Sequence, residues 1–350
     1  MLLKACAFNT GPDIHLLDHI APLASILNIP LIVTEEENEL LAAKYYPEVS
    51  TERWTHLEFH LKEIADRFDL LIECKYWAPH LKELFRTLFH KKMELIFCPH
   101  GQSDKGYATP LLAPYATQDG VLLYGNLLKK MLEELNIQIP DYWMIGNHRW
   151  LYFQTHRERL RAAAQKEVFS FLDPKRPTLL YAPTWQDADQ STSFFETFQQ
   201  LNQKSDWNVL IKIHPLLSQR DPALFCRLTA SLENVFLIHE FPPVYPLLER
   251  IDAYLGDYSS VGYDVLAFQK PMFLLARSSL PLARLHSCGQ RVHPDRNLLF
   301  QIEKNLCKAR NFEPLQRELY EKAFGSLQAK GGEDVDRSKI RQILRRGNSL

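Results

Sequence analysis

The chain has 350 residues, of which 46% are hydrophobic and 24% charged. That is an ordinary globular mix, too long for one core and suited to two domains of about 150 residues each. A net charge of -1 gives no electrostatic case for nucleic acid, and no apolar run reaches the roughly 20 residues of a transmembrane helix.

The chain opens on the apolar Leu2–Phe8, which lacks the basic start and long apolar core of a signal peptide. It reads as a first buried strand. A helical pattern follows over His15–Leu27, with Leu16, Leu17, Ile20, Leu23, Ala24 and Leu27 on one face. Strand signals recur at 30–33, 69–73, 94–98, 121–124 and 142–145. Helical signals lie at 79–89 and 126–135. Trp150–Phe171 reads as one long charged helix, broken by Asp173-Pro174-Lys175-Arg176-Pro177. Strand signals then resume at 178–182, 207–213, 235–238, 251–255 and 272–275, with helices at 194–204, 222–231, 244–250 and 261–269. This β/α alternation predicts α/β architecture: two Rossmann-like, doubly wound parallel sheets facing a central cleft. The expected division is 1–150, 151–312 and a helical tail at 313–350. The tail ends in Arg337, Lys339, Arg341, Arg345 and Arg346. It reads as a solvated helix face, or as a contact with an anionic membrane surface.

Six scattered cysteines, with no CxxC pair, predict reduced thiols and a cytoplasmic setting. His286, Cys288, His293 and Asp295 match no zinc spacing and read as an incidental loop. No metal and no cofactor are expected.

The most informative stretch is Gly256-Asp257-Tyr258-Ser259-Ser260-Val261-Gly262-Tyr263-Asp264. A strand runs into two serines and then a helix that stops at Lys270-Pro271. Serines at a helix start cap backbone N–H groups, and the same groups hold phosphate. In an open α/β sheet this place, beyond a strand's carboxyl end, is where ligands bind. Lys212 and His214 leave another strand two residues apart, on one face, suited to a shared anion. Thr184 and Trp185 follow a third strand. In the first half, Cys98-Pro99-His100-Gly101-Gln102-Ser103-Asp104-Lys105-Gly106 follows a strand, with His100 placed as a general base and Gly101 permitting close backbone approach. Each motif also has an ordinary reading: a loop histidine, a solvated strand exit, a plain helix cap (Asp257 included), a core tryptophan.

In this order, His100-Gly101, Tyr181-Ala182-Pro183-Thr184-Trp185, Lys212-Ile213-His214-Pro215, and Asp257-Tyr258-Ser259-Ser260 with Asp264 and Lys270-Pro271 resemble the CDP-glycerol glycerophosphotransferase family. The resemblance covers about residues 95–276. It implies a GT-B fold and transfer of a polyol phosphate from a CDP-activated donor to an acceptor hydroxyl, lipid-linked or glycan, with release of CMP. It implies that His100 is the base, that Lys212 and His214 stabilise the diphosphate, and that Ser259 and Ser260 bind phosphate. Gly101, Thr184, Trp185, Asp257 and Asp264 fall on the donor side, with Asp264 directed at the ribose or the acceptor. Gln186 departs from the family's usual arginine, and the loop from Gln102 to Gly106 differs from the usual version. Two alternatives stay open: a GT-B sugar transferase or UDP-sugar 2-epimerase-like enzyme, and a non-catalytic nucleotide-binding protein.

Overall fold

The structure, a computed structural model, describes residues 3–105, 110–186, 192–230, 232–276, 282–294, 296–325 and 337–345. The chain forms two compact units. The first comprises Met1–Gln102, Pro110–His156 and Ala323–Leu350; the second comprises Ser103–Thr109 and Arg157–Lys322. The chain therefore passes between units after His156, not at 150. The expected separate tail is divided, its last part belonging to the first unit.

The first unit is built on strands β1 (Ala5–Asn9), β2 (Leu31–Val33), β3 (Thr51–Arg53), β4 (Leu70–Glu73), β5 (Glu94–Phe97), β6 (Gly120–Leu123) and β7 (Tyr142–Met144). All pair in parallel, in the order β3-β2-β1-β4-β5-β6-β7. Residues 70–72 are all buried, as helices on both faces of a parallel sheet require. The helix Leu17–Leu27 ends where Asn28 takes the left-handed conformation and returns its N–H to the carbonyls of Ala24 and Ser25. The terminal segment docks back here: Leu3 N–H bonds the Leu344 carbonyl, and Ile340 and Ile343 are buried.

The second unit is built on β8 (Thr178–Ala182), β9 (Asn208–Lys212), β10 (Val235–Ile238), β11 (Ala253–Gly256), β12 (Met272–Leu275) and β13 (Gln290–Val292). Its parallel order is β10-β9-β8-β11-β12-β13. The order reverses between β8 and β11, which opens the crevice where such sheets bind ligands. Leu179, Tyr181, Val209, Ile211, Leu255 and Phe273 form the core on one face. Truncating one of its buried leucines to alanine would cost about 2–5 kcal/mol.

The expected doubly wound parallel architecture is thus present in both units. Several elements differ. The long helix is two, His148–Thr155 and Arg157–Glu167, with a 3-10 turn at Phe169–Phe171; His156 leaves helical geometry at the junction. The helix expected at 261–269 is Val261–Val265 plus a 3-10 turn ending on left-handed Gln269. β3, β13 and the helix Leu298–Ala309 were not expected. Among the described residues no helix is long and apolar enough to cross a membrane.

Candidate functional site

In the second unit the site grows from the strand ends that flank the reversal. β11 delivers Asp257, whose carboxylate accepts the Thr184 N–H at both oxygens (3.0 and 2.9 Å) and the Ser259 N–H at 2.9 Å. The acid is buried, and burial pushes its carboxyl above the ordinary range, against the Thr184 N–H and the charge of Lys105. Asp257 was expected to touch the donor. Its oxygens instead join the loops after β8 and β11.

Ser259 and Ser260 follow, both half-buried. Ser260 stands at the start of the helix Val261–Val265 but makes no side-chain cap bond, contrary to the capping expected from sequence. Their carbonyls accept the N–H groups of Gly262 and Tyr263. Asp264 turns inward. It is buried, and its Oδ1 accepts the Tyr245 hydroxyl at 2.9 Å, so it braces the helix rather than facing a ribose or an acceptor.

The loop after Gly101 enters this unit. Ser103 Oγ donates to the Tyr258 carbonyl (3.3 Å), and Asp104 Oδ2 accepts the Tyr263 hydroxyl (2.8 Å) and the Leu285 N–H (3.2 Å). These bonds deliver Lys105, whose Nζ donates to Thr184 Oγ1; that hydroxyl in turn donates to the Gln186 carbonyl at 3.1 Å. A cation therefore stands at the end of β8. The sequence alone assigns Lys105 no role, because nothing local to residues 98–106 says which strand the loop will meet. Gly106 lies outside the described residues.

At the end of β9 the strand alternation buries Ile213 and leaves Lys212 and His214 half-buried on the other side. Lys212 Nζ donates to the Phe241 carbonyl at 2.6 Å. His214 Nδ1 accepts the Leu216 N–H at 3.2 Å and caps the helix Pro215–Arg220. An accepting Nδ1 fixes the neutral ring as the Nε2–H form. Trp185 is half-buried, packs on the core, and lies 6.3 Å from the His214 ring, tilted by 39°.

In the first unit His100 is exposed beyond β5. Gly101 has φ 110°, a backbone angle that side chains with a Cβ resist, so the turn after His100 requires glycine. The rings of His15 and His19 stand edge-on to His100, each at 6.3 Å.

Among the described residues no group of three or more His, Cys, Asp or Glu is arranged to hold a metal. His286 is buried, with Nε2 on the Leu275 carbonyl at 3.0 Å. Cys288 lies 3.5 Å from the Leu315 carbonyl, and Asp295 falls outside the described residues.

Residues 152–278 match the family model of CDP-Glycerol:Poly(glycerophosphate) glycerophosphotransferase. The chain is glycerophosphotransferase-like. The matched stretch holds every site residue from Thr184 to Asp264 but neither His100 nor Gly101. No curated protein matches in sequence. Among solved structures, the wall teichoic acid polymerase TagF, as a variant soaked with CDPG, matches with TM-score 0.64 and 15% identity over 98% of this chain and 89% of that one. The UDP-GlcNAc 2-epimerase from Neisseria meningitidis bound to UDP-GlcNAc matches with TM-score 0.59 and 13% identity, over 97% and 99%. A glycosyltransferase from Rickettsia africae matches with TM-score 0.51 and 14% identity, over 99% of both chains. These likenesses establish the GT-B type of fold for the glycerophosphotransferase-like chain.

Proposed function

We propose that the chain transfers a polyol phosphate, glycerol phosphate in the first instance, from a CDP-activated donor to an acceptor hydroxyl, releasing CMP during synthesis of a cell-surface polymer. The observation that carries this reading is the family match over the unit that gathers Lys105, His214, Ser259 and Ser260 at its strand ends. Transfer of this kind depends on positioning and on stabilising charge at phosphorus and leaving group.

In this reading the acceptor oxygen attacks the phosphorus that bears glycerol, and His100 takes the hydroxyl proton. A new P–O bond forms, the P–O bond to CMP breaks, and CMP leaves with the electron pair. Lys105 supplies a point charge, and His214 donates its Nε2–H to the diphosphate oxygens. The serine hydroxyls of residues 259 and 260 donate to the same group. Lys212, tied to the Phe241 carbonyl, contributes its charge from that tethered place. Trp185 and Thr184 line the nucleotide side. The acceptor is a lipid-linked or glycan hydroxyl, and the setting is the cytoplasm or the inner membrane face.

The test is release of CMP from CDP-glycerol with a hydroxyl acceptor. Turnover that falls about 10²–10⁴-fold in His100→Ala supports the reading; absence of turnover by the native chain removes it. A second reading, a UDP-sugar enzyme, draws on the epimerase likeness in fold. Thermal stabilisation by UDP-sugars and not by CDP-glycerol would favour it. Binding of CDP-glycerol without turnover would favour a non-catalytic nucleotide-binding protein.

A further inference from the structure

We infer that His148, His19 and Tyr124 form a buried hydrogen-bonded chain whose end holds the peptide before His100, making them positioning residues for the transfer. The inference rests on the reading of His100 as the base.

The chain can be followed proton by proton. His148 Nε2 lies 2.8 Å from the His19 carbonyl. A carbonyl only accepts, so Nε2 carries the proton. Tyr124 donates its hydroxyl to the Pro99 carbonyl at 3.1 Å. The phenol proton is then used, so His19 Nδ1, 2.9 Å from the same oxygen, must supply its own proton to it. The donors therefore all face one way: His148 Nε2–H to the His19 backbone carbonyl, the His19 ring to Tyr124, and Tyr124 to Pro99, with the His19 residue joining the first bond to the other two. Pro99 immediately precedes His100, and Gly101 makes the left-handed turn that follows. The His100 backbone is thus fixed on one side by the held carbonyl and on the other by the turn.

The framework behind the chain is equally tied. His19 lies on the helix Leu17–Leu27, and His148 starts the helix His148–Thr155. Arg149 Nε joins these helices by bonding the Asp18 carbonyl (3.0 Å) and Oδ2 (3.1 Å), while Tyr46 donates to Asp18 Oδ1 at 3.0 Å. Burial keeps both His19 and His148 neutral at ordinary pH, so the proton order persists.

Its location argues for function. Three buried polar side chains between a sheet and its covering helices are costly where apolar groups would pack. Their bonds converge on the segment that carries an exposed histidine. A small displacement of a reacting group can cost about 10²-fold in rate.

The test uses the full chain. Tyr124→Phe deletes the O–H that holds Pro99 but keeps the ring, which stacks on His148 and meets Phe324 edge-on. The expected result is a fall in kcat for CMP release on the order of 10²-fold with KM for CDP-glycerol within about two-fold. No further loss is expected when it is combined with His100→Ala. His148→Gln, which keeps a donor toward the His19 carbonyl, should retain at least about 10-fold more kcat than His148→Leu. Unchanged kcat in Tyr124→Phe, or a full additional loss in the His100→Ala background, would overturn the inference. An independent readout needs no substrate: the His100 ring signals in NMR should move in Tyr124→Phe while those of exposed His56 stay. If the native chain never turns over CDP-glycerol, the proposed transfer fails, but this shift still decides the positioning. Its presence supports it and its absence refutes it.

Discussion

Both oxygens of the buried Asp257 carboxylate accept the same backbone N–H, that of Thr184, at 3.0 and 2.9 Å. One acid thereby ties the loop leaving β8 to the loop leaving β11, across the point where the strand order reverses. The residue shapes the crevice instead of filling it.

Asp257→Asn tests this. The amide oxygen can keep both backbone N–H groups at the Oδ1 place, but its N–H₂ then replaces Oδ2 and faces the Thr184 N–H, donor against donor, in a buried place. The expected cost is about 1–3 kcal/mol, or a fall in melting temperature of roughly 2–4 °C per kcal/mol for a domain of this size. Thermal unfolding of the two chains provides the measurement, and equal melting points would contradict the role.

Lys105 is held at Thr184 by a loop whose other anchors are Ser103 and Asp104. Lys105→Ala should lower kcat/KM for CDP-glycerol by about 10–100-fold, the range of one lost charge-assisted hydrogen bond of about 1.5–3 kcal/mol. Lys105→Arg should recover part of it. Steady-state kinetics at two salt concentrations would show the charge dependence; a Lys105→Ala chain with native kcat/KM would exclude the assignment.

His214 does two things that substitution can separate. Its Nδ1 caps a helix, and its Nε2 carries the ring proton. His214→Ala loses both, with about 0.5–2 kcal/mol of stability from the cap. His214→Asn keeps a capping oxygen and loses the Nε2–H. Both variants should fall about 10²–10³-fold in kcat, and only the alanine variant should melt earlier. Native activity in the asparagine variant would show that the cap is the whole role.

Burial holds the His19 imidazole well below its ordinary range and brings His148 down to about 4. For such a group the unfolded chain binds the proton first. Its contribution is present above the unfolded value near roughly 6.5 and is lost as pH falls toward the folded value. Stability should therefore drop on acidification below about pH 6.5, by about 1.4 kcal/mol per pH unit for each of the two histidines. Urea unfolding between pH 7 and pH 5 measures the slope. His148→Gln should reduce it, and a flat profile would refute the assignment.

Legibility in the sequence followed burial. β8 and β12 run over the expected residues because interior strands are continuous apolar runs, and β10, though at an edge, is the apolar run Val-Phe-Leu-Ile. The edge strands β3, Thr-Glu-Arg, and β13, Gln-Arg-Val, carry no such run and were invisible. The site divides in the same way. Ser259, Ser260 and His214 stand at strand and helix ends, as their local motifs suggested. Asp257 and Asp264 belong to the same motif, yet both carboxylates point into the protein, onto Thr184 and Tyr245. Direction of that kind depends on partners 73 and 19 residues away.

The sequence by itself determined the alternation of strands and helices, the doubly wound class and the placement of polar residues at strand exits, because these follow from local periodicity and chain-breaking residues. Only the tertiary structure decided that Lys105 stands at the end of β8, that Asp257 ties the loops after β8 and β11, and that His19 and Tyr124 lead from His148 to Pro99. Those relationships join residues 25 to 129 positions apart. Hydrogen bonds over such separations are fixed by how the sheets and helices pack, which no local pattern encodes.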